Sequence, residues 1–385
     1  MAIKKSEIYS KIWKGCDKLR GKMDASLYKD YILVLLFVKY ISDKYENNPS
    51  EGIIIPKGGG FKDLVKLVGK KDIGNGIDKV IRKLADENNL TSIITTAYFN
   101  DEEKLGKGKE MQDRLSGLVS LFNKPNLDFS KNRAGDDDLL GDAYEFLMRK
   151  FAIQTGREKG QFYTPSEVSR VIARVIGTDK AITRSQSVYD PTCGSGSLLL
   201  KVANEAPKGL SIFGQEMDLA TYAMAKMNMV LHGYATADIQ NANTIAKPYW
   251  KTEDVKLKEF DFAVANPPFS TKEWSDGMTG SYPDDGYGRF NGFEAPPEKN
   301  GDYAFLLHLI KSIKPKGKGA IILPHGVLFR ANAEGRIRKN IIKRGYIKAI
   351  IGLPSNLFYG TGIRASIIVI DKEDADSRKD IFLID

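Results

Sequence analysis

The stretch VYDPTCGSGSLLL, residues 188–200, decides the fold. An apolar strand ends at Asp190, a turn containing Gly194 and Gly196 follows, and a helix starts near Ser197. Glycines in such a turn let the backbone approach a ligand closely, and the ligands of doubly wound sheets sit beyond the carboxyl ends of strands. The turn departs from the dinucleotide pattern G-x-G-x-x-G, because Leu199 stands where the third glycine would fall. Twenty residues past Gly196, SIFGQEMD carries a second strand-like run to Glu216. An acidic side chain at that offset can accept hydrogen bonds from both ribose hydroxyls of a nucleoside held over the turn. A plain strand-to-helix turn followed by a solvated carboxylate has the same pattern; the two features together favour a nucleoside cofactor. The chain contains no G-x-x-x-x-G-K-[ST], which disfavours a P-loop triphosphate site.

Outward from this stretch, short Val/Ile/Phe-rich runs alternate with helical patterns through FDFAVAN, DYAFLLHLIKSI, GAIILP, AEGRIRKNIIKRG, IKAIIGLP and ASIIVIDKE. That rhythm predicts an open, mainly parallel sheet wound on both faces. The last two strands are joined by SNLFYGTGIR, too short and too glycine-rich for a crossover helix, so antiparallel pairing is expected at that edge. Residues 1–133 read instead as an all-helical domain, with apolar positions at helical spacing in SEIYSKIWKGCDKLRG and a long apolar helix in DASLYKDYILVLLFVKYISDKYE. The division expected is therefore 1–133 helical and 134–385 α/β.

At 385 residues and 42% hydrophobic the chain is globular and long enough for two domains. Its net charge of +9 makes a polyanionic partner plausible, but the excess is spread along the sequence and forms no basic tail. Cys16 and Cys193 are far apart and offer neither a disulfide framework nor a four-ligand zinc site, and His232, His308 and His325 are too scattered for a metal centre. No metal is expected. The start lacks an apolar leader and the longest apolar run, YILVLLFV at 31–38, is far short of a membrane span, so a cytoplasmic protein without membrane association is the expectation.

The chemistry is carried by DFAVANPPFS, residues 261–270, an apolar strand that stops at Asn266-Pro267-Pro268-Phe269. An aromatic amine such as adenine N6 is a weak nucleophile because its lone pair is delocalised into the ring. Two neutral acceptors, the Asn266 side-chain oxygen and a carbonyl of the Pro267-Pro268 segment, can hold such a nitrogen closer to sp3 and free the lone pair. Consecutive prolines fix φ and donate nothing, which leaves rigidly placed carbonyls. Phe269 supplies a flat face for an extruded base. A strand-breaking turn is the plain alternative; the position of NPPF on the edge that also carries DPTCGSGS and QEMD favours one shared site.

DPTCGSGSLLL followed by NPPF resembles the amino-methyltransferases that use S-adenosyl-L-methionine (SAM). REKGQFYTPSEVSRVIARVI ahead of the glycine turn is similar to the N6-adenine DNA methyltransferases with that motif order. With LRGKMDASLYKDYILVLLFVKYISDKYE, the resemblance is to the modification (M) subunit of type I restriction–modification systems and covers nearly the whole chain. It implies a Rossmann-like methyltransferase fold and a site-specific, adenine-specific DNA methyltransferase whose target sequence is read by a separate specificity (S) subunit. The implied partners are double-stranded DNA, the S subunit, a second copy of the M subunit in a complex of two M with one S, and the restriction (R) subunit. For the cofactor, the resemblance implies that Gln161, Phe162, Tyr163, Thr164, Pro165 and Ser166 line its methionine end. It further implies that Asp190, Thr192, Cys193, Gly194, Ser195 and Gly196 form the cofactor turn, that Glu216 holds the ribose, and that Asn243 stands near the adenine where the family often has an acidic residue. Asn266 to Phe269 are the implied catalytic tetrad.

Members of that family continue with a C-terminal helical segment that docks on the S subunit, whereas this sequence stops at IFLID, which reads as a strand and is compatible with a truncated chain. The polar stretch 270–300 is expected to form a mobile flap over the target base. Cys193 reads as a small turn residue, not a nucleophile. NPPF chemistry also suits methylation of a protein glutamine or an RNA base, and a non-catalytic DNA-binding scaffold could keep the fold; the helical domain and the GQFYTP block favour the DNA enzyme.

Overall fold

The computed structural model describes residues 5–21, 23–46, 53–127, 139–155, 164–278, 285–358 and 362–385. The chain separates into two compact units, one of residues 1–156 with 226–235, the other of residues 157–225 with 236–385.

The described helices of the first unit up to residue 155 are α1 (Lys5–Arg20), α2 (Ala25–Tyr45), α3 (Phe61–Val65), α4 (Ile73–Asn88), α5 (Thr91–Ile94), α6 (Glu102–Leu105), α7 (Lys109–Phe122) and α8 (Leu139–Thr155). Helix α4 shows why they pack. Ile73, Ile77, Val80, Ile81 and Leu84 recur at intervals of three and four and are buried, while its charged residues face outward. Helix α2 buries every residue from Tyr31 to Ile41, as its apolar run over 31–38 requires, with the buried Lys39 paired to Asp43. Among the described residues no helix is long and apolar enough to cross a membrane. Helix α1 joins through aromatic edges, Trp13 against Phe151 at 5.1 Å between centroids. Helix α8 falls in this unit, so the compact boundary lies some twenty residues beyond the 133/134 division read from the sequence.

The second unit is built on one eight-stranded sheet in the order β3-β2-β1-β4-β5-β7-β6-β8. The strands are β1 (Ser187–Asp190), β2 (Ser211–Glu216), β3 (Asp238–Asn241), β4 (Phe260–Ala265), β5 (Ile313–Pro324), β6 (Ile347–Gly352), β7 (Ala365–Asp371) and β8 (Phe382–Ile384). Between them run α9 (Ser166–Ile176, ahead of β1), α10 (Ser197–Asn204), α11 (Leu219–Leu231), α12 (Asp302–Lys311) and α13 (Asn332–Lys343). All neighbours from β3 to β5 pair in parallel. Strand β7 runs antiparallel to both β5 and β6, and β8 adds in parallel to β6. The antiparallel pairing expected of SNLFYGTGIR is thus present at that end of the sheet, with β7 inserted between β5 and β6. IFLID supplies β8, the strand its pattern suggested.

Central strands are buried on both faces: β1 is buried at every position and β7 likewise, as expected where a sheet is covered on both sides. One core cluster joins Ala263 and Ala265 of β4, Ile321 and Leu323 of β5 and Ile368 and Ile370 of β7 to Tyr303, Leu306 and Leu309 of α12 and Ile337 and Ile341 of α13. Each large aliphatic group buried there contributes about 1.5–3 kcal/mol. The cluster also contains Trp274 and Phe290, which meet edge to face at 6.1 Å. Trp274 and Phe290 thus anchor the described parts of the 270–300 stretch to the core, while Lys272, Glu273, Asp276, Asn291 and Glu298 are exposed; residues 279–284 lie outside the described residues. A fully buried Arg289 holds this stretch in place by pairing with Asp285 and donating to the Ile245 carbonyl at 2.7 Å. A buried guanidinium must be matched this completely, since an unpaired one would be prohibitively desolvated.

Candidate active site

Strand β1 ends at Asp190 and the chain turns through Pro191 into α10. Gly194 (φ 56°) and Gly196 (φ 77°) take left-handed backbone that other residues rarely adopt, and Gly196 closes the turn by donating to the Cys193 carbonyl at 2.8 Å. The Cys193 N–H donates to the Gln215 carbonyl of β2 at 2.9 Å, tying the turn to the next strand. Asp190 Oδ1 accepts from the Thr192 N–H at 2.9 Å. Glu216 accepts from the Gly194 N–H at 3.1 Å and from the Asp218 N–H at 2.9 Å. The two carboxylates that the sequence singled out therefore stand at one turn.

Their electrostatics are unusual. Burial pushes the Asp190 carboxyl up to about 8, and the negative Glu216 beside it adds to the shift. Burial also raises Glu216 above the ordinary carboxylate range. Burial pushes the Cys193 thiol well above its usual value, as do the two carboxylates, so it stays protonated and packs as a small turn residue. Ser195 is buried in the same turn.

Strand β4 brings the tetrad to the same edge. Tyr189 of β1 is level with Ala263 of β4, and Asp190 is level with Gly214 of β2. Asn266 and Glu216 thus both lie two residues beyond the level of Asp190, on strands to either side of β1. From ordinary strand spacings, Asn266 and Asp190 are about 8 Å apart at Cα and Asn266 and Glu216 about 10 Å. Asn266 is buried, and its Nδ2 donates to Thr164 Oγ1 at 3.2 Å, across 102 residues of sequence. Thr164, also buried, precedes Pro165, which caps α9 at Ser166 and whose carbonyl accepts from the Ser169 N–H at 3.0 Å. Gln161, Phe162 and Tyr163 lie outside the described residues.

The Pro268 carbonyl accepts from Thr271 Oγ1 at 3.0 Å, whereas no described residue donates to the Pro267 carbonyl. Phe269 is not an open platform. Its ring is buried and meets Phe358 edge to face at 6.0 Å and 86°. Asn243 uses its side-chain oxygen to accept from the N–H groups of Ile245 and Ala246 at 2.9 and 3.0 Å, which caps the turn after β3.

Beneath the edge runs a buried polar chain that sequence reasoning missed. Arg289 faces His308 Nδ1 at 3.4 Å, His308 Nε2 lies 3.2 Å from the Tyr189 hydroxyl, and that hydroxyl donates to Gln215 Oε1 at 3.3 Å. A donor on Nδ1 leaves the proton on Nε2, so His308 donates to Tyr189. Burial, aided by the Arg289 charge, holds the His308 pKa well below its ordinary value and keeps the ring neutral. Arg289 also reaches the Thr244 carbonyl, and the Thr244 hydroxyl donates to the Pro191 carbonyl of the glycine turn. These residues sit inside apolar or loop-like runs, where only the polar letters in DYAFLLHLI and SVYD hinted at them. Among the described residues no group of acidic, His and Cys side chains could hold a metal ion.

The family model described as N-6 DNA Methylase matches residues 135–385. The chain belongs to the N-6 DNA methylase family. The model of the HsdM N-terminal domain matches residues 8–122, so the helical part has its own counterpart in the same kind of protein. The chain is 32% identical to the type I restriction enzyme MpnII methylase subunit of Mycoplasma pneumoniae, across 98% of this chain and 78% of that protein. It is 29% identical to the MjaIX methylase subunit of Methanocaldococcus jannaschii, across 97% and 71%. Among solved structures, the type I restriction-modification system methyltransferase subunit from Streptococcus thermophilus superposes with a TM-score of 0.81 at 30% identity, covering 96% of this chain and 85% of that one. The N-6 DNA methylase fold, a Rossmann-like mixed sheet plus a helical N-terminal region, is thereby common to this chain and a type I methylase subunit.

Proposed function

We propose that this type I methylase subunit transfers a methyl group from SAM to adenine N6 in double-stranded DNA, while a separate specificity subunit reads the sequence. A second M copy and a restriction subunit complete the assembly proposed from its family. Residues 1–133 are proposed as the helical module and 134–385 as the catalytic module. One observation carries the reading: a buried carboxylate (Asp190), a half-buried one (Glu216) and a buried amide (Asn266), from three adjacent strands, converge on one sheet edge.

When bound, SAM supplies a methyl group made electrophilic by a sulfonium. The residues suit that ligand. Asp190 and Glu216, strained toward protonation by burial, are stabilised by a cation, and Glu216 can accept from ribose hydroxyls beside the Gly194 N–H. Thr192, Cys193, Ser195 and Gly196 shape the turn so that its backbone lies close to the ligand, and Gln161 to Ser166 are assigned to its methionine end. Asn243 is assigned near the adenine through its amide nitrogen, since its oxygen caps the following turn.

On the acceptor side, Asn266 and Pro267 act as neutral acceptors for the two N6 hydrogens. Because the Asn266 nitrogen donates to Thr164, the amide oxygen is the end turned to accept. The Pro267 carbonyl is preferred over that of Pro268, which Thr271 already engages. Drawing both hydrogens off the ring plane localises the nitrogen lone pair, and proximity to the methyl carbon then supplies most of the acceleration. Asn266 and Pro267 would keep the two N6 hydrogens engaged while the nitrogen took the methyl group in exchange for the carbon–sulfur bond of bound SAM, and the surplus N6 proton would pass to water. Phe269 stacks on the base once it separates from Phe358.

The test is labelled methyl transfer by the chain purified with its partner subunits, followed by nucleoside analysis. N6-methyladenine in duplex DNA is expected. Label in RNA or protein, or none at all, contradicts the reading.

A further inference from the structure

Ser270, the first residue after the tetrad, has φ 53°, a left-handed conformation that is unfavourable for any side chain but glycine. Something must hold it there. Its N–H donates to Asp302 Oδ1 at 2.7 Å, and its hydroxyl lies 3.4 Å from Asp302 Oδ2. Asp302 opens α12 thirty-two residues further on and is wholly buried. A buried carboxylate needs a cation, and Arg330 supplies it through Nη2 to Oδ2, while its Nε is engaged by Glu334. Arg330 follows the turn at the carboxyl end of β5, the parallel neighbour of β4, so the brace spans two adjacent strand ends. The loop carrying it is fixed in turn by Arg338, which donates to the carbonyls of Val327 and Arg330 at 3.0 Å each. A second tie runs alongside: the Gly301 N–H donates to the Thr271 carbonyl at 2.9 Å, while the Thr271 hydroxyl holds the Pro268 carbonyl.

We propose that Asp302 is a positioning residue for methyl transfer: by tethering the strained Ser270 it fixes the direction of the Pro267 carbonyl and the Asn266 amide, with Arg330 as its charge partner. Asp302, wholly buried and engaged by Ser270 and Arg330, is assigned a role through the tetrad and not on either ligand. Its contribution is to keep the tetrad preorganised, a role that rests on the tetrad being the acceptor of the target amine as proposed above. Loss of the tether lets Ser270 relax toward ordinary backbone and swings the preceding carbonyls away, and displacements of about 1 Å cost up to about 100-fold in rate.

Asp302→Ala in the full chain with its partner subunits is expected to lower kcat about 10- to 100-fold while SAM affinity, measured by calorimetry, stays within about twofold. Asp302→Asn retains an acceptor for the Ser270 N–H and should recover most of kcat despite losing the charge pair. Ser270→Pro removes the donor and forbids the left-handed φ, so it should reproduce the Asp302→Ala defect with the buried ion pair intact. That variant decides the matter if Asp302→Ala does not fold. Wild-type kcat in Ser270→Pro, an Asp302→Asn as poor as the alanine variant, or a parallel loss of SAM affinity would each overturn the tether. Asn266→Ala in the same assay separates the two levels: activity there defeats the proposed function, whereas its loss beside an unimpaired Ser270→Pro defeats only the tether.

Discussion

The two sides of the carboxyl edge are built on opposite electrostatic principles. At the ends of β1 and β2, Asp190 and Glu216 are crowded together and desolvated, so that the pocket is acidic yet reluctant to hold its charge. At the end of β4, Asn266, the proline carbonyls and Phe269 are all uncharged, and nearby charges such as Asp302 are neutralised by partners before they reach the edge. The difference matches two tasks. A cation is retained by carboxylates that gain from its arrival, whereas a neutral amine is activated by acceptors that draw on its hydrogens without removing them.

Disturbing the acidic side should have the largest effect on ligand capture. Gly194→Asp places a third carboxylate beside Glu216 and Asp190 on backbone that only glycine tolerates well. SAM binding by calorimetry should weaken by more than about 100-fold, since an added like charge and lost backbone geometry act together. Unchanged affinity would mean that the turn does not hold the cofactor.

A gentler probe is pH. A cation favours ionised Asp190, so binding should release a proton while the free carboxyl is still protonated. Affinity should rise by up to about tenfold per pH unit below about pH 8 and level off above it. Without ligand the sign is reversed. The raised folded pKa means that the stabilisation of the protonated carboxyl is fully present below the unfolded value of 3.8 and is lost as pH rises through about 8. The free protein should therefore melt lower at pH 9 than at pH 6, and saturating SAM should narrow the gap. Calorimetry in buffers of different ionisation enthalpy counts the released proton; no release, with flat affinity from pH 6 to 9, would remove Asp190 from the binding reading.

The smallest effect concerns the chain beneath both sides. Tyr189→Phe leaves the His308 Nε2 proton and Gln215 Oε1 without the shared hydroxyl and should lower unfolding stability by about 1–3 kcal/mol. Cofactor affinity and turnover should change little, which distinguishes this support from the edge itself.

Backbone-level signals made most of the site legible in the sequence. Glycines at a strand end, two prolines after an asparagine and apolar runs of strand length all report local conformation directly, and β1, β2 and β4 end close to where those signals placed them. Thr164 beneath Asn266 came from the family resemblance, because no local rule joins residues 102 apart. What stayed hidden depends on tertiary neighbours. Arg289 in YGRFNG and Asp302 in NGDYAF read as loop polarity and a helix start, yet both are buried: Asp302 is neutralised by Arg330 far along the chain, and Arg289, paired with the nearby Asp285, also reaches the Ile245 carbonyl 44 residues back. Phe269 looked like an exposed face because its ring partner, Phe358, lies far along the chain. The order of β5, β7 and β6 was equally closed to local reasoning, since strand insertion is set by packing of the whole sheet.

The contrast between the two sides is tested most directly by Asn266→Ala in the complex with duplex DNA, measuring methyl transfer and SAM affinity on the same preparation. Turnover is expected to fall by at least about 100-fold, as for loss of a preorganised polar group at a reacting centre, with cofactor affinity unchanged within about twofold. Full methylation by that variant would contradict the account.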